Sequence, residues 1–384
     1  MSRRTGARIV GAYEHPDRVI TGKSVEQVHA EVALGALADA GLGLEDVDGY
    51  CCSGDAPGLG PISMAQYLGL SRLTFVDSLE IGGSSPVAQL GHAAAAIAAG
   101  KCRVVLITLA GLPRSGAFRP IWAAPEAPFE TVYGPTTPAM YALAARRHMH
   151  EYGTTAEQLA EIKVAASLHA QHNPNAFLRR PVTVEEVLES PWVSEPLHRL
   201  DCCVVTDGGG AIVVAAPEVA KDLGRRSPVL LGHGEALKHG SDGRLDLTYT
   251  AAVRSGPTAF EEAGVTVADV DYASIYDSFT ITVLITLEDL GFAERGKGGW
   301  FVADGGLLAP HGRLPVNTDG GGLCNNHPAS RGGMTKIIEA VRQLRGEAHP
   351  AVQVPNCEIA LVHGTGGSLG SRMASVTAIL GVEE

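Results

Sequence analysis

The chain has 384 residues, 45% of them hydrophobic, and a mean hydropathy of +0.09, enough for a substantial core in one large or two medium domains. Its net charge of -12 argues against a nucleic-acid binder, because neutralising phosphates needs clustered Lys and Arg. No run of about 18 apolar residues occurs and the start, MSRRTGARIV, has no apolar signal-peptide core, so no membrane span and a cytoplasmic location are expected.

In chain order, a strand near Ala7–Tyr13 precedes a helix with a Ser24–Gln27 capping box, apolar residues at helical spacing and a stop at Gly41. A strand at Val47–Cys52, a short helix from Ile62 and a strand near Thr74 follow. Residues 78–107, SLEIGGSSPVAQLGHAAAAIAAGKCRVVLI, then read as strand, glycine turn, long helix and strand. Ser84 or Ser85 is expected to cap that helix, Pro86 suits its first turn and Gly100 stops it. The narrow, alanine-rich helix suits burial, and its N-terminal amides, aimed over Gly82 and Gly83, suit an anion or a developing oxyanion.

Residues 111–135, rich in Pro, Gly and aromatics, leave the layered pattern. Two amphipathic helices, PAMYALAARRHMHEYG and TAEQLAEIKVAASLHAQHNP, and a polar stretch follow before the strand GGGAIVVAAP returns to the core. An insertion of this size, about 111–195, is expected to cover a binding site. Arg146–Arg147 and Arg179–Arg180 are ordinary surface charge or contacts for the phosphates of a nucleotide-tailed substrate.

The second half repeats the first. Residues 36–48, ALADAGLGLEDVD, align without gaps on 259–271, AFEEAGVTVADVD, with six of thirteen positions identical. NTDGGGL, the loop at His327 and the helix MTKIIEAVRQLRG stand where GGSSP and its helix stand in the first half. A duplicated α/β unit follows, with halves at 1–225 and 226–384 and the cleft where they meet.

Four loops carry chemistry-bearing residues. At 276–279, Tyr-Asp-Ser-Phe, Tyr276 can donate or accept a proton, Asp277 can cap the next helix or orient a neighbour, and Ser278 reads as a helix-start hydroxyl. At 324–328, Cys-Asn-Asn-His-Pro, His327 suits hydrogen bonding to a carbonyl or oxyanion that Asn326 or Asn325 shares. At 361–367, between two expected hairpin strands, His363 is a base or a buried, satisfied side chain, and glycines including Gly366 let the backbone approach a ligand. In GGSSP, Ser84 and Ser85 lack a Gly-x-Ser-x-Gly setting. P-loop and dinucleotide-fingerprint spacings are absent. The seven cysteines form no CxxC pair; reduced thiols without a metal are expected, with Cys51–Cys52 and Cys202–Cys203 buried in strand-like runs.

Taken together, YGPTTPAMYALAARRHMHEYGTT, HNPNA, PVTVEEVLESPWVSEPLHRLDCCVVTDGGGAIVV, YDSFTITVLITLEDLGF, VNTDGGGLCNNHPA and HGTGGS, in that order over nearly the whole chain, resemble the thiolase superfamily and its sterol-carrier-protein-type branch. The resemblance implies a five-layered αβαβα fold of two similar halves, a homodimer, and coenzyme A thioester substrates, with no further cofactor. It places the nucleophilic cysteine's position on Gly83, the Gly-His-Pro histidine on His327, and the His-Asp-Cys-Phe motif on Tyr276–Phe279. Gly83 cannot take an acyl group. The chain therefore looks like the thiolase-like aldolases that shorten steroid side chains, which need a small companion with an OB fold and zinc ribbon.

On that resemblance Tyr276 is expected to take or relay the substrate's hydroxyl proton, His327 to stabilise the enolate oxygen, and amides near Gly83, Ser84 and Gly366 to assist. Gly83 is expected to leave room for a branched carbon. Some such aldolases carry a second tyrosine beside the Asn-His-Pro histidine; Asn325 and Asn326 stand there here, so the companion or His363 is expected to supply that group. A non-catalytic acyl-CoA-binding or scaffold subunit, and a degenerate thiolase or acyltransferase, are the alternative readings.

Overall fold

Alternating strand-like and helix-like apolar periods fold as alternating strands and helices, described here for residues 5–53, 56–116, 127–134, 136–239, 245–328, 332–369 and 371–382 of a computed structural model. The first half runs β1 (Arg8–Glu14), α1 (Val25–Ala40), β2 (Gly49–Ser53), α2 (Pro61–Leu68), β3 (Phe75–Leu79), α3 (Ser85–Ala98) and β4 (Val104–Gly111). The excursion expected at 111–195 holds α4 (Ala127–Glu130), α5 (Thr137–Tyr152), α6 (Ala156–Ala170), α7 (Val184–Glu189), and the hairpin of β5 (Trp192–Ser194) and β6 (Leu197–His198). Its residues 117–126 and 135 lie outside the described set. β7 (Gly208–Ala215) and α8 (Pro217–Leu223) follow.

The second half runs β8 (Val229–Lys238), α9 (Ala252–Ala263), β9 (Tyr272–Ile275), α10 (Thr280–Asp289), α11 (Gly298–Val302), α12 (Gly321–Cys324), α13 (Gly333–Arg345), β10 (Ile359–Ser368) and β11 (Ser371–Gly381). The expected internal repeat is structural. Helix ends at Ala40 and Ala263 (263 − 40 = 223), 3-10 turns at Leu44–Asp46 and Val267–Asp269, and strand starts at Gly49 and Tyr272 all keep the one offset. Gly41 and Gly264 end the paired helices at φ 72 and φ 70, a left-handed conformation that favours glycine.

The strand order is β3-β2-β4-β7-β1-β8-β11-β10-β9. Each half supplies one side, and the two sides join at a single registered pair, Arg8 with Val229. Between them lie α3 and α13. Val87, Leu90 and Ala94 of α3 and Met334, Ile337 and Val341 of α13 share one core with Val105 and Ile107 of β4 and Val362 and Val376 of β10 and β11. On one outer side, Val32, Ala36 and Leu37 of α1 pack on Val10, Tyr50 and Val213. On the other, Ile162 of α6, Ala259 of α9, and Leu284 and Leu287 of α10 pack on Ala273, Leu361 and Ile379. The result is the five-layered αβαβα arrangement. Both central helices are buried on several sides, as the alanine-rich composition of α3 requires.

Three local expectations are corrected. Ser84 precedes α3 with helical backbone angles and no capping bond; its hydroxyl donates to the Ala374 carbonyl at 3.2 Å, and that of Ser85 donates to the Gly82 carbonyl at 2.8 Å. Both serines tie the turn to its neighbours. Residues 361–367 lie within β10, paired along their length with β11, so the chain reverses only after them. Cys51 and Cys52 are buried in β2, whereas Cys202 and Cys203 lie outside any strand and are half-buried.

Candidate active site

The N-terminal ends of α3 and α13 meet where β9 gives way to Tyr276. A Cβ added to Gly333 would lie 2.0 Å from the Gly83 carbonyl oxygen, so the two chain turns touch only because glycine stands there. Tyr276 is anchored from behind, its backbone N–H donating to the His363 carbonyl at 3.0 Å.

Gly83 and Tyr276 occupy one place. A Cβ on Gly83 would fall 2.1 Å from Cε2 and 2.4 Å from Cζ of Tyr276, and 2.6 Å from the Thr365 carbonyl oxygen. The expectation that Gly83 leaves room for a branched substrate carbon is thereby overturned, because the tyrosine ring fills that room. Tyr276 in turn meets His327 edge-on, with ring centroids 5.3 Å apart and planes at 72°. Gly332 borders both rings: its Cβ would lie 3.0 Å from Tyr276 Cε2 and 3.3 Å from His327 Cδ2.

Burial pushes the Tyr276 phenol well above its ordinary value, and a hydrogen bond with the Gly332 backbone offsets this only in part. Burial pushes His327 down to about 4, Asp277 opposing and Lys336 reinforcing the shift. The His327 backbone N–H donates to Thr206 Oγ1 at 3.0 Å, and its Nε2 has no hydrogen-bond partner among the described residues. At neutral pH the site therefore presents a phenol that keeps its proton beside an imidazole that keeps its lone pair.

Asp277 does not cap α10. Its carboxylate accepts from the Gly322 and Leu323 amides at 2.8 and 3.1 Å, which caps α12 instead, and Lys336 Nζ lies 2.7 Å from Oδ1. Both side chains are buried. Of the two roles open to Asp277, orienting a neighbour is the one it fills. Ser278 shares a hydrogen bond with Thr282 Oγ1 at 3.1 Å, beside Tyr141, whose ring stacks on Phe279 at 4.3 Å.

The other expected site residues are each held by neighbouring groups. Asn326 accepts from the Thr206 hydroxyl at 2.9 Å and donates to Glu14 Oε1 at 2.9 Å. Asn325 accepts from Arg18 Nη2 at 2.8 Å and donates to Asp319 Oδ2 at 2.8 Å. Both ends of each amide are engaged in a buried network. His363 Nδ1 pairs with Thr377 Oγ1 at 2.9 Å, which also meets Ser255 at 2.9 Å. His363 shares the face of β10 that carries Leu361, its Nε2 has no hydrogen-bond partner among the described residues, and burial pushes it down to about 3. Gly366 admits backbone, since a Cβ there would lie 1.6 Å from the Ile81 carbonyl oxygen, so its close approach is to the Ile81–Gly82 turn.

Sequence reasoning missed Lys336, Gly332, and the Glu14–Arg18 support beneath the Asn-Asn-His loop. Lys336 carried a usable signal, a lone charge among Met334, Ile337 and Ile338 in a helix that is buried nearly throughout. The thiols nearest this chemistry, Cys203 and Cys324, are pushed up by burial, away from the thiolate that nucleophilic attack needs. Of the exposed arginines, Arg146 pairs with Glu195, Arg147 with Glu151 and Arg180 with Glu186, while Arg179 donates to the Gln171 carbonyl at 3.2 Å. Among the described residues no group of three or more His, Cys, Asp or Glu could hold a metal ion, and no helix is long and apolar enough to cross a membrane.

Residues 234–381 match the family of thiolase C-terminal domain-like sequences. Over 346 residues the chain is 38% identical to the steroid side-chain-cleaving aldolase of Thermomonospora curvata, covering 85% of this chain and 87% of that one. It is also 38% identical over 348 residues to the 17-hydroxy-3-oxo-4-pregnene-20-carboxyl-CoA lyase of Mycobacterium tuberculosis, covering 85% and 88%. Among solved structures, the Ltp2-ChsH2(DUF35) aldolase superposes with a TM-score of 0.89 at 34% identity, over 99% of this chain and 98% of that one.

Proposed function

The chain belongs to the thiolase superfamily, in the group that holds the steroid side-chain-cleaving aldolases, and from that premise we propose that it is an acyl-CoA carbon–carbon lyase. It cleaves a β-hydroxyacyl-CoA by a retro-aldol reaction to a ketone or aldehyde plus acetyl-CoA or propionyl-CoA, and a steroid side-chain thioester with a tertiary hydroxyl is the substrate class favoured by its relatives' names. The observation that carries this reading is the Tyr276 ring in the place of a nucleophile's side chain, which removes acyl transfer and leaves proton movement.

The electrostatics support a division of labour opposite to the one the resemblance suggests. His327, held neutral, accepts the substrate's hydroxyl proton. The Cα–Cβ bond then breaks, leaving a carbonyl on the β-carbon, and its electron pair becomes the thioester enolate. Tyr276, which keeps its proton, donates a hydrogen bond to the enolate oxygen, aided by the amides where α3 begins. The imidazolium of His327 returns the proton to the α-carbon. Asp277 orients the turn that carries His327, and coenzyme A enters only as part of the substrate.

The remaining features of this reading are a division into halves at 1–225 and 226–384, a homodimer, a companion protein and a cytoplasmic setting, where coenzyme A thioesters are made and used. The C-terminal family match at 234–381 supports the division. For the dimer, support comes from β3, the outermost strand, with Val76 49% exposed beside Ile62 and Tyr67 of α2 at 68% and 52%. For the companion, it comes from the DUF35 partner named with the superposed aldolase. Incubating the purified chain, with and without a DUF35-type companion, with a tertiary β-hydroxyacyl-CoA tests the function. Equal amounts of ketone and shortened acyl-CoA are expected; no product in either mixture would remove the lyase reading.

A further inference from the structure

Lys336 touches none of the reacting groups of the proposed cleavage, yet its placement is costly. It stands in the first turn of α13, 1% exposed, at a position an aliphatic side chain would fill at lower desolvation cost. Its Nζ forms an ion pair with Asp277 Oδ1 at 2.7 Å, and no other acceptor among the described residues takes a hydrogen bond from it. Asp277 in turn holds the Gly322 and Leu323 amides of α12, the turn that leads into His327. The carboxylate and the imidazole flank the same glycine: a Cβ on Gly322 would lie 3.0 Å from Asp277 Oδ1 and 3.0 Å from His327 Cδ2. Among the described residues, the charged groups acting on His327 are Asp277 and Lys336; Tyr276 packs edge-on against the ring, and the His327 backbone N–H is held by the uncharged Thr206 hydroxyl.

We propose that Lys336 is a positioning residue for the cleavage, acting through Asp277 to fix the turn that carries His327 against Tyr276 and to set the field at the imidazole. Its kinetic consequence rests on the lyase reading; its structural consequence does not. A fixed cation near His327 disfavours the imidazolium, so the proton taken from the substrate hydroxyl passes on to the α-carbon of the enolate and the imidazole is regenerated.

The test compares the full-length wild type with Lys336→Arg and Lys336→Gln, labelled with 15N-histidine, with the His327 ring signals identified by their loss in His327→Gln. In Lys336→Gln the His327 titration midpoint is expected to rise by about one pH unit or more, while Lys336→Arg keeps the wild-type value. Turnover by Lys336→Gln is expected to fall about 100-fold with KM little changed. An unmoved midpoint in Lys336→Gln overturns the proposal, whatever happens to thermal stability. If wild-type protein cleaves nothing, the lyase reading fails while the titration still decides the role of Lys336. Should Lys336→Gln not fold, Asp277→Asn/Lys336→Gln, which leaves no lone buried charge, carries the test. Faster hydrogen exchange at Gly322 and Leu323 is then expected; wild-type exchange together with wild-type turnover overturns the proposal.

Discussion

A Cβ on Gly83 would lie 2.1 Å from Cε2 of Tyr276: the glycine of the first half and the tyrosine ring of the second occupy a single site, so no side chain can be added at Gly83 while the ring stays. Gly83→Ala forces the ring aside and is expected to cost about 1–3 kcal/mol of stability through overpacking and about 100-fold in turnover. Gly83→Cys is expected to lose cleavage without gaining thiolysis, since its sulfur would compete with the ring for one space. Thermal melts and product analysis check both variants, and full cleavage by either would show that the ring need not sit where it does.

Tyr276→Phe keeps the ring over Gly83 and against His327 but removes the proton that the buried phenol retains. Turnover is expected to fall about 100- to 1000-fold, the usual cost of one lost donor to a developing oxyanion, with KM and melting temperature little changed. A kinetic comparison at saturating substrate checks this, and a purely structural Tyr276 would give the opposite pattern.

The pH dependence follows from the directions of the two shifts. His327 must be unprotonated to accept a proton and is held down to about 4, so kcat/KM should fall only as pH drops through about 4. Tyr276 must be protonated and lies well above its ordinary value, so it sets no alkaline limb up to about pH 10. His327 and His363 are both buried and depressed. The stability they contribute is present above the unfolded histidine value of about 6.5 and is lost as pH falls through their folded values. Circular dichroism run beside the kinetics separates that loss of fold from loss of the base.

Asn326 reads as a support beneath His327. Glu14, which burial alone would raise, is brought to about 2 by Arg18, Arg342 and hydrogen bonds that include Asn326. Asn326→Ala removes one donor to that carboxylate and is expected to cost about 1–3 kcal/mol, read by urea denaturation, with a smaller loss of activity per folded molecule than Tyr276→Phe shows. A stable variant with abolished turnover would return Asn326 to the oxyanion.

Much of the fold was legible because its signals are local. The Ser24–Gln27 capping box, the left-handed stops at Gly41 and Gly264 and the shared 223-residue offset each follow from a few neighbouring residues. The site was half legible. Tyr276 and His327 could be found from their loops, but whether they touch, and what fills the space at Gly83, depends on two halves brought together from positions 83, 276 and 327. The serines of GGSSP looked like caps because local spacing allows it; long-range acceptors such as the Ala374 carbonyl decide otherwise. Asn325 and Asn326 looked free because Glu14 and Arg18, more than 300 positions away, give no sign in sequence that they reach them.

Cleavage in D2O separates a retro-aldol reaction from thiolysis. With a tertiary β-hydroxyacyl-CoA and no added thiol, the enolate should be quenched by solvent-derived deuterium, giving ketone and shortened acyl-CoA in equal amounts with one deuterium on the α-carbon, and the reaction should slow sharply in Tyr276→Phe and His327→Ala. Cleavage that requires free coenzyme A, or an acyl-CoA product without deuterium, would contradict it.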